Sequence, residues 1–500
     1  MKNDLIVFLL LGLSLHLATT NVDIDLDASY SDQKWVTVQG APVGSYPGRV
    51  VSNIGDFNGD GIDDMIMNAA NSLNAEVAYV VYGQKNGFSE DNIQVDSTFS
   101  EGFTIHGPFP PSQFTNFGFS ISKAIDLNGD GLSDIVIGAY TFSNYQGLVY
   151  VIYGKKGHTG DITIKQDLSF SSPQGFVIFG PRESSQFGMS VGSARDWNGD
   201  GFDDLLIGAP GYGINQGAVY VIDGKKGNYA ANIYLNETQE GFAIFGPDGG
   251  YYRLGAALDG AGDINGDGID DIILGAPANY SVFGLYGKKK RSGSTLTVDS
   301  NDLDGSTGFV ISSNSSAGDF GSTLSSAGDI NGDGIQDIIL GTYLPYSSRG
   351  AFAFYGRKGN WPSFEIGDDL ASYQGFMIKD SRTGIYSCGL AVSNGDLNGD
   401  GIDDLLVRAR NKTLASSVGG YVAVIYGSQT KFTADFDIAT DLTQDTGFIV
   451  FGSTLNIITL TTNSVTTGDF NDDDLPDILI GAPSSQSYYG ETYIVFGSSK

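Results

Sequence analysis

The chain has a single cysteine, Cys388, three histidines and five methionines in 500 residues. No intrachain disulfide is possible, so an exported fold of this size needs another staple or a large core. His16 falls in the apolar N-terminal stretch, and neither His106 nor His158 has an evident partner. No zinc set, nucleophile–base pair or phosphate loop can be assembled from what remains, which argues against a catalytic role. Basic residues are also scarce: 27 Lys and Arg face 58 Asp and Glu, a formal charge of −31. That balance argues against nucleic acid or an anionic membrane surface as a general partner. Beyond the N-terminus no apolar run approaches the roughly 18 residues of a transmembrane segment.

The N-terminus, MKNDLIVFLLLGLSLHLATTNVD, joins Lys2 to an apolar run from Leu5 to Leu17 and small residues at Ala18–Thr20. It predicts a signal peptide over 1–20, a secreted, extracellular chain and one domain over 21–500. Sequons at Asn236, Asn279, Asn314 and Asn411 suit export and a glycoprotein.

What is abundant is glycine, 71 residues, with 26 tyrosines and 30 phenylalanines. Aromatic and β-branched residues favour strands and glycine favours turns, so the chain reads as all-β. One acidic nine-mer organises it. DFNGDGIDD at 56–64 returns at 126–134, 196–204, 263–271, 329–337 and 396–404, and as DFNDDDLPD at 469–477, at intervals of 66–73 residues. Each copy sits between two apolar stretches, with two more following, as in QFGMSVG (186–192), LLIGAP (205–210), GAVYVIDG (217–224) and, from the preceding unit, GFVIFG (175–180). Four short strands per unit and seven units predict a seven-bladed β-propeller of four-stranded blades. The chain stops at ETYIVFGSSK, one strand short of a unit, and KWVTVQG (34–40) is a strand of the missing type. The N-terminal strand is therefore expected to complete the last blade and close the ring, which removes open sheet edges.

The nine-mer has the chemistry of a calcium loop. Calcium takes six to eight oxygens in flexible geometry, and D-x-N-x-D-G-x-x-D offers side-chain oxygens at positions 1, 3, 5 and 9 and a carbonyl at 7. The candidate ligands in loop one are Asp56, Asn58, Asp60, Ile62 and Asp64; in loop two, Asp126, Asn128, Asp130, Leu132 and Asp134. Loop three has Asp196, Asn198, Asp200, Phe202 and Asp204, and loop four Asp263, Asn265, Asp267, Ile269 and Asp271. Loop five has Asp329, Asn331, Asp333, Ile335 and Asp337, and loop six Asp396, Asn398, Asp400, Ile402 and Asp404. Loop seven has Asp469, Asn471, Asp473, Leu475 and Asp477, but Asp474 replaces the turn glycine and Pro476 follows. The apolar residue at position 7 is expected to point into its own blade. An EF-hand would need a glutamate at position 12 and flanking helices, and neither is present. Up to seven Ca2+ ions would bring the charge from −31 to about −17 and take the place of disulfides.

With FG at 117–118 and 187–188, G-A-P at 208–210, 275–277 and 481–483, and the acidic loop between them, the chain resembles FG-GAP repeat proteins over residues 30–500. Such repeats form the propeller of integrin α subunits and occur in glycosylphosphatidylinositol-specific phospholipase D. Departures include YRLGAAL and YSCGLAV at FG positions, where Cys388 replaces the phenylalanine, and GTY (341–343) and RAR (408–410) at GAP positions. The resemblance implies a non-catalytic adhesion module whose calcium loops lie on one face and whose opposite, upper face binds an extracellular protein or glycan. The tyrosine-rich loops of that face nominate Tyr140, Tyr145, Tyr212, Tyr252, Tyr346 and Tyr489. The recurring basic turns GKKG (154–157, 224–227) and KKKR (288–291) are expected to guard blade edges. A lectin-like propeller and a polysaccharide-acting enzyme remain the alternatives.

Overall fold

The structure is a computed structural model. It describes residues 23–498 apart from 27–34, 41–46, 70–75, 96–98, 109–114, 166, 171–174, 236–240, 290–293, 299–302, 304, 314–318, 343–348, 367–373, 383–384, 412–419, 433–434, 453–463 and 484–489. The signal-peptide segment, Asn236, Asn314, Tyr346 and Tyr489 lie outside the described residues.

Short apolar runs between glycine turns become strands of two to eleven residues, and these assemble into seven sheets, the blades of a seven-bladed propeller. Blade three shows the plan. Ser190–Arg195 lines the axis and pairs antiparallel with Asp204–Ala209, then Ala218–Ile222, then Phe242–Phe245. Strands such as Asp204–Ala209 and Ala218–Ile222 are buried at every position, because a blade is covered on both faces by its neighbours. This is why they read as continuous apolar runs.

Every blade also carries a fifth strand, which the sequence reading missed. Thr295–Thr297 lies parallel to Phe242–Phe245 on the rim of blade three, although it belongs to the chain of blade four. The connection between each blade's third and fourth strands reaches back in this way to the preceding blade. These strands are too short for periodicity to reveal; Ile162–Thr163 has two residues.

The ring closes as expected. Trp35–Gly40 pairs antiparallel with Glu491–Val495 and parallel with Asn92–Val95, filling the fourth place in blade seven. Ile24–Asp25 adds the rim strand of blade six, parallel to Gly447–Gly452.

The FG and GAP residues set how closely blades approach. Phe187 and Phe320 are fully buried, and a Cβ on Gly208 would lie 2.1 Å from the Gly255 carbonyl of the next blade. In blade six Arg408 stands at this glycine's position. Its fully buried guanidinium donates from Nη1 to the carbonyls of Ser464 (2.9 Å) and Gly481 (2.8 Å) in blade seven, and burial holds its pKa down at about 10. The RAR departure thus replaces close backbone contact by a side-chain bridge across the seam.

Candidate metal loops and the opposite face

The seven nine-mers link the first and second strands of their blades, so all lie at one end of the propeller. Each folds by satisfying its own N–H groups with aspartate oxygens. In loop five the Asp329 carboxylate accepts the N–H groups of Asp333 (3.1 Å) and Gly334 (2.7 Å), and Asp333 accepts that of Ile335 (3.1 Å). Asp337, wholly buried, accepts N–H groups from Ile330 (3.0 Å) and Gly356 (2.6 Å), the latter at the end of the third strand. The glycines at positions 4 and 6 hold positive φ, as at Gly332 (67°) and Gly334 (83°). Position 4 therefore favours glycine as much as position 6 does, a preference not drawn from the sequence.

Loop seven keeps this geometry without the glycines. Asp472 and Asp474 adopt φ of 60° and 67°, and Asp469, Asp473 and Asp477 make the same backbone bonds.

Among the described residues no group of three or more carboxylate, histidine or cysteine side chains is gathered into a metal cluster. The loops mix donors instead. The Oδ1 atoms of Asn128, Asn198, Asn265, Asn331, Asn398 and Asn471 are buried and accept no hydrogen bond. A buried amide oxygen without a donor is unfavourable by about 1–3 kcal/mol, unless something of positive charge approaches it. The position-9 carboxyls carry the same message. Burial pushes Asp64, Asp134, Asp271, Asp337 and Asp404 up to about 8 and Asp477 to about 7, with carboxylates of the same loop adding repulsion. A hard divalent cation relieves both, so the residues fit one.

Loops one to five and loop seven are each completed by the blade that follows. The basic turn of that blade donates N–H groups to the carbonyls of positions 2 and 3: Lys155 to Phe57 (2.9 Å), Gly157 to Asn58 (2.6 Å), Lys225 to Leu127 (3.1 Å) and Gly227 to Asn128 (2.7 Å). Lys85 pairs with Asp472, and Lys431 with Asp333 at 3.3 Å. The basic turns thus dock through their backbone N–H groups on the acidic loop of the preceding blade. The position-7 side chain also belongs to the seam: Leu132 and Phe202 lie over the position-4 glycines Gly59 and Gly129 of the preceding loops.

Position 8, aspartate in four loops and overlooked in the sequence, is the third tie. Asp63, Asp203, Asp270 and Asp403 accept the N–H groups of Asp469 (3.2 Å), Asp126 (3.1 Å), Asp196 (3.3 Å) and Asp329 (2.9 Å), each the first residue of the preceding loop. Asp403→Ala is expected to lower stability by about 1–2 kcal/mol, the worth of one partly buried charged hydrogen bond, as read by urea unfolding. An unchanged midpoint would show the tie to be idle.

On the axis at this end lies a cavity of about 620 Å³ lined by Asp63, Lys123, Arg195, Asp203 and Asp259 among others. Lys123 Nζ donates to Asp259 (2.9 Å) and Ser325 (2.8 Å), joining blades two, four and five across the channel. The histidines lie elsewhere. His106 does have a neighbour, Asp161, at 3.6 Å on the surface. His158 is buried edge-on against Phe57 and Phe103, and burial lowers its pKa.

The loops after the second and fourth strands form the opposite end. Tyr140, Tyr145, Tyr212 and Tyr252 are all there, Tyr145 half exposed and the others partly buried. Tyr212 packs on Phe245 with ring centroids 5.2 Å apart. The sequence reading passed over Ile214, 91% exposed, and Tyr251, 58% exposed, on the same face. An isoleucine inside the glycine-rich turn GYGINQG was the available signal. Asn279 of the second sequon is also exposed in an upper turn, whereas nothing is described of the Asn411 and Cys388 side chains.

A closed ring of seven acidic loops with FG and GAP glycines at the blade seams defines an FG-GAP propeller. Residues 117–152, 187–222, 254–294, 320–355, 389–425 and 461–495 match the FG-GAP repeat, and the chain is an FG-GAP repeat protein homologous to integrin alpha subunits. Integrin alpha pat-2 of Caenorhabditis elegans is 30% identical over 227 residues, 44% of this chain and 17% of that protein. Phosphatidylinositol-glycan-specific phospholipase D of Bos taurus is 33% identical over 174 residues, 33% of this chain and 19% of that one. The chain thus spans less than a fifth of either relative. A rhamnogalacturonan lyase of Bacillus licheniformis covers 94% of this chain and 76% of its own at 14% identity and a TM-score of 0.40, a likeness that says nothing of activity. No helix among the described residues is long and apolar enough to cross a membrane.

Proposed function

We propose that this chain is a secreted, non-catalytic adhesion module that binds an extracellular protein through its upper face, with calcium held in the loops of the lower face. One observation carries the reading. Of the four exposed large hydrophobic residues among those described, Tyr145, Ile214 and Tyr251 lie on upper loops of blades two to four. Exposed apolar side chains gathered on one face mark an interaction site. The integrin homologues favour a protein ligand. On the lower face, the aspartates at positions 1, 5 and 9 of each nine-mer, the asparagine at position 3 and the position-7 carbonyl would hold calcium, whose charge would neutralise the crowded carboxylates.

The test is binding of the labelled, calcium-loaded chain to cultured cells and to cell-derived matrix. Combined Tyr145→Ala, Ile214→Ala and Tyr251→Ala substitutions are expected to reduce binding at least tenfold while the thermal midpoint stays put. If Lys155→Ala with Lys225→Ala on the lower face reduces binding as much, the upper face is not the site.

A further inference from the structure

The upper face carries arginines where the chain as a whole is strongly acidic. Arg49 lies 4.9 Å over the Phe119 ring, Phe119 packs on Tyr140 at 4.7 Å, and Tyr140 lies 6.3 Å from Tyr145. Arg253 comes within electrostatic reach of the Tyr140 hydroxyl. In the next blade Arg182 lies 5.3 Å over the Tyr212 ring.

The loop 211–217 joins these groups. Ile214 stands at its tip, Arg182 covers Tyr212 on one flank, and on the other the N–H groups of Tyr252 and Arg253 bond to the Asn215 carbonyl at 3.1 and 2.9 Å. Tyr145 is tied in through its carbonyl, which accepts the Gln186 N–H at 2.8 Å. Backbone strain gathers here too, with Tyr145, Asn215 and Arg253 at φ of 60°, 57° and 56°. Such conformations are unfavourable for bulky residues and persist at functional sites.

Among the described residues neither Arg182 nor Arg253 pairs with a carboxylate. Arg182 faces the Tyr212 ring, and Arg253 Nη2 donates to the Met189 sulfur at 3.7 Å. With 58 acidic residues in the chain, a carboxylate is the partner most easily supplied from within. Lower-face and channel lysines have one, as Lys85, Lys123 and Lys431 show. A guanidinium lying on an aromatic ring keeps its edge for a bidentate carboxylate.

We propose that the upper face of blades two to four takes a protein segment through an aspartate or glutamate side chain held by Arg182 and Arg253, with its apolar neighbours seated on Ile214, Tyr145 and Tyr251. This rests on the upper face being the binding face. A protein segment is favoured over an acidic polysaccharide by Ile214, because a branched aliphatic side chain offers a sugar ring no flat face to stack on.

The test pans a phage-displayed random dodecapeptide library on the calcium-loaded chain. Enrichment of peptides with Asp or Glu beside aromatic or aliphatic residues is expected. Their affinity should fall at least tenfold in Arg182→Glu/Arg253→Glu, and that variant should select Lys- and Arg-containing peptides instead. Peptides whose binding is lost in Ile214→Ala/Tyr251→Ala but unchanged in the charge reversal overturn the carboxylate inference and leave the upper face standing. Peptides indifferent to both sets overturn both. A library that yields no acidic peptide, while polygalacturonate binds the chain and loses affinity on charge reversal, overturns the protein-segment assignment in favour of an acidic glycan.

Discussion

Chelating divalent cations at pH 8 is expected to lower the thermal midpoint by about 10 °C or more, with a much smaller loss at pH 5. The buried carboxyls at position 9 set the sign. In the metal-free fold, burial pushes five of them up to about 8 and Asp477 to about 7, far above the ordinary carboxylate value of 3.8. A carboxyl whose folded pKa is raised favours the fold only while protonated. Its contribution is complete below the ordinary carboxylate value and is lost as pH climbs towards 8. Without a cation, the protein should therefore be more stable at pH 5 than at pH 8. With calcium the neutral-pH penalty is removed, because the ion supplies the positive charge that the proton otherwise provides.

Mass action sets the size. A loop held at a hundred times its dissociation constant contributes about 2.7 kcal/mol. With an unfolding entropy of about 2.1 cal/mol/K per residue, several filled loops shift the midpoint by on the order of 10 °C. Scanning calorimetry with EDTA or calcium at the two pH values checks this. A midpoint indifferent to EDTA at pH 8 would remove calcium from the account of this fold.

Val38→Asp is expected to be the most damaging single substitution at the chain ends, costing about 3–5 kcal/mol as an uncompensated buried charge. Val38 is fully buried in Trp35–Gly40, with a strand bonded on each side. The damage should spread beyond blade seven. Loop seven is completed by blade one: Asp63 accepts the Asp469 N–H, Gln84 and Asn86 donate to the carbonyls of Phe470 and Asn471, and Lys85 pairs with Asp472. Loss of the closing strand frees this seam as well. Urea unfolding should show a lower midpoint and a smaller slope, because an opened ring already exposes surface that unfolding would otherwise uncover. Gln39→Ala, which removes a 3.1 Å bond to Glu491 and an exposed 2.8 Å bond from Gln94 but buries no charge, is the control with little effect. Equal midpoints for the two variants would show that the N-terminal strand does not hold the ring.

The repeat made the number of blades, the acidic loops and the closing strand legible, because each is a local pattern of side chains at constant spacing. Glycine at position 4 was as visible as glycine at position 6, yet beside its positive φ a second reason lies in another blade, where Leu132 or Phe202 packs over it. The same holds for aspartate at position 8, whose partner is the Asp126, Asp196, Asp329 or Asp469 N–H in the preceding blade or across the ring junction. The docking of the lysine turns is equally invisible in the sequence, because the carbonyls that accept their N–H groups lie in the preceding unit.

By itself, then, the sequence determined the all-β class, the sevenfold plan and the ring closed by the N-terminal strand, Trp35–Gly40. These follow from turn chemistry and strand patterning within one unit. Only the tertiary structure decided that the acidic loops are finished by the blade that follows, that Arg408 bridges a seam in place of a glycine, and that Ile214 shares the upper face with Arg182 and Arg253. Those facts depend on neighbouring blades meeting edge to edge, and contacts between residues distant in the chain leave no periodic trace in it.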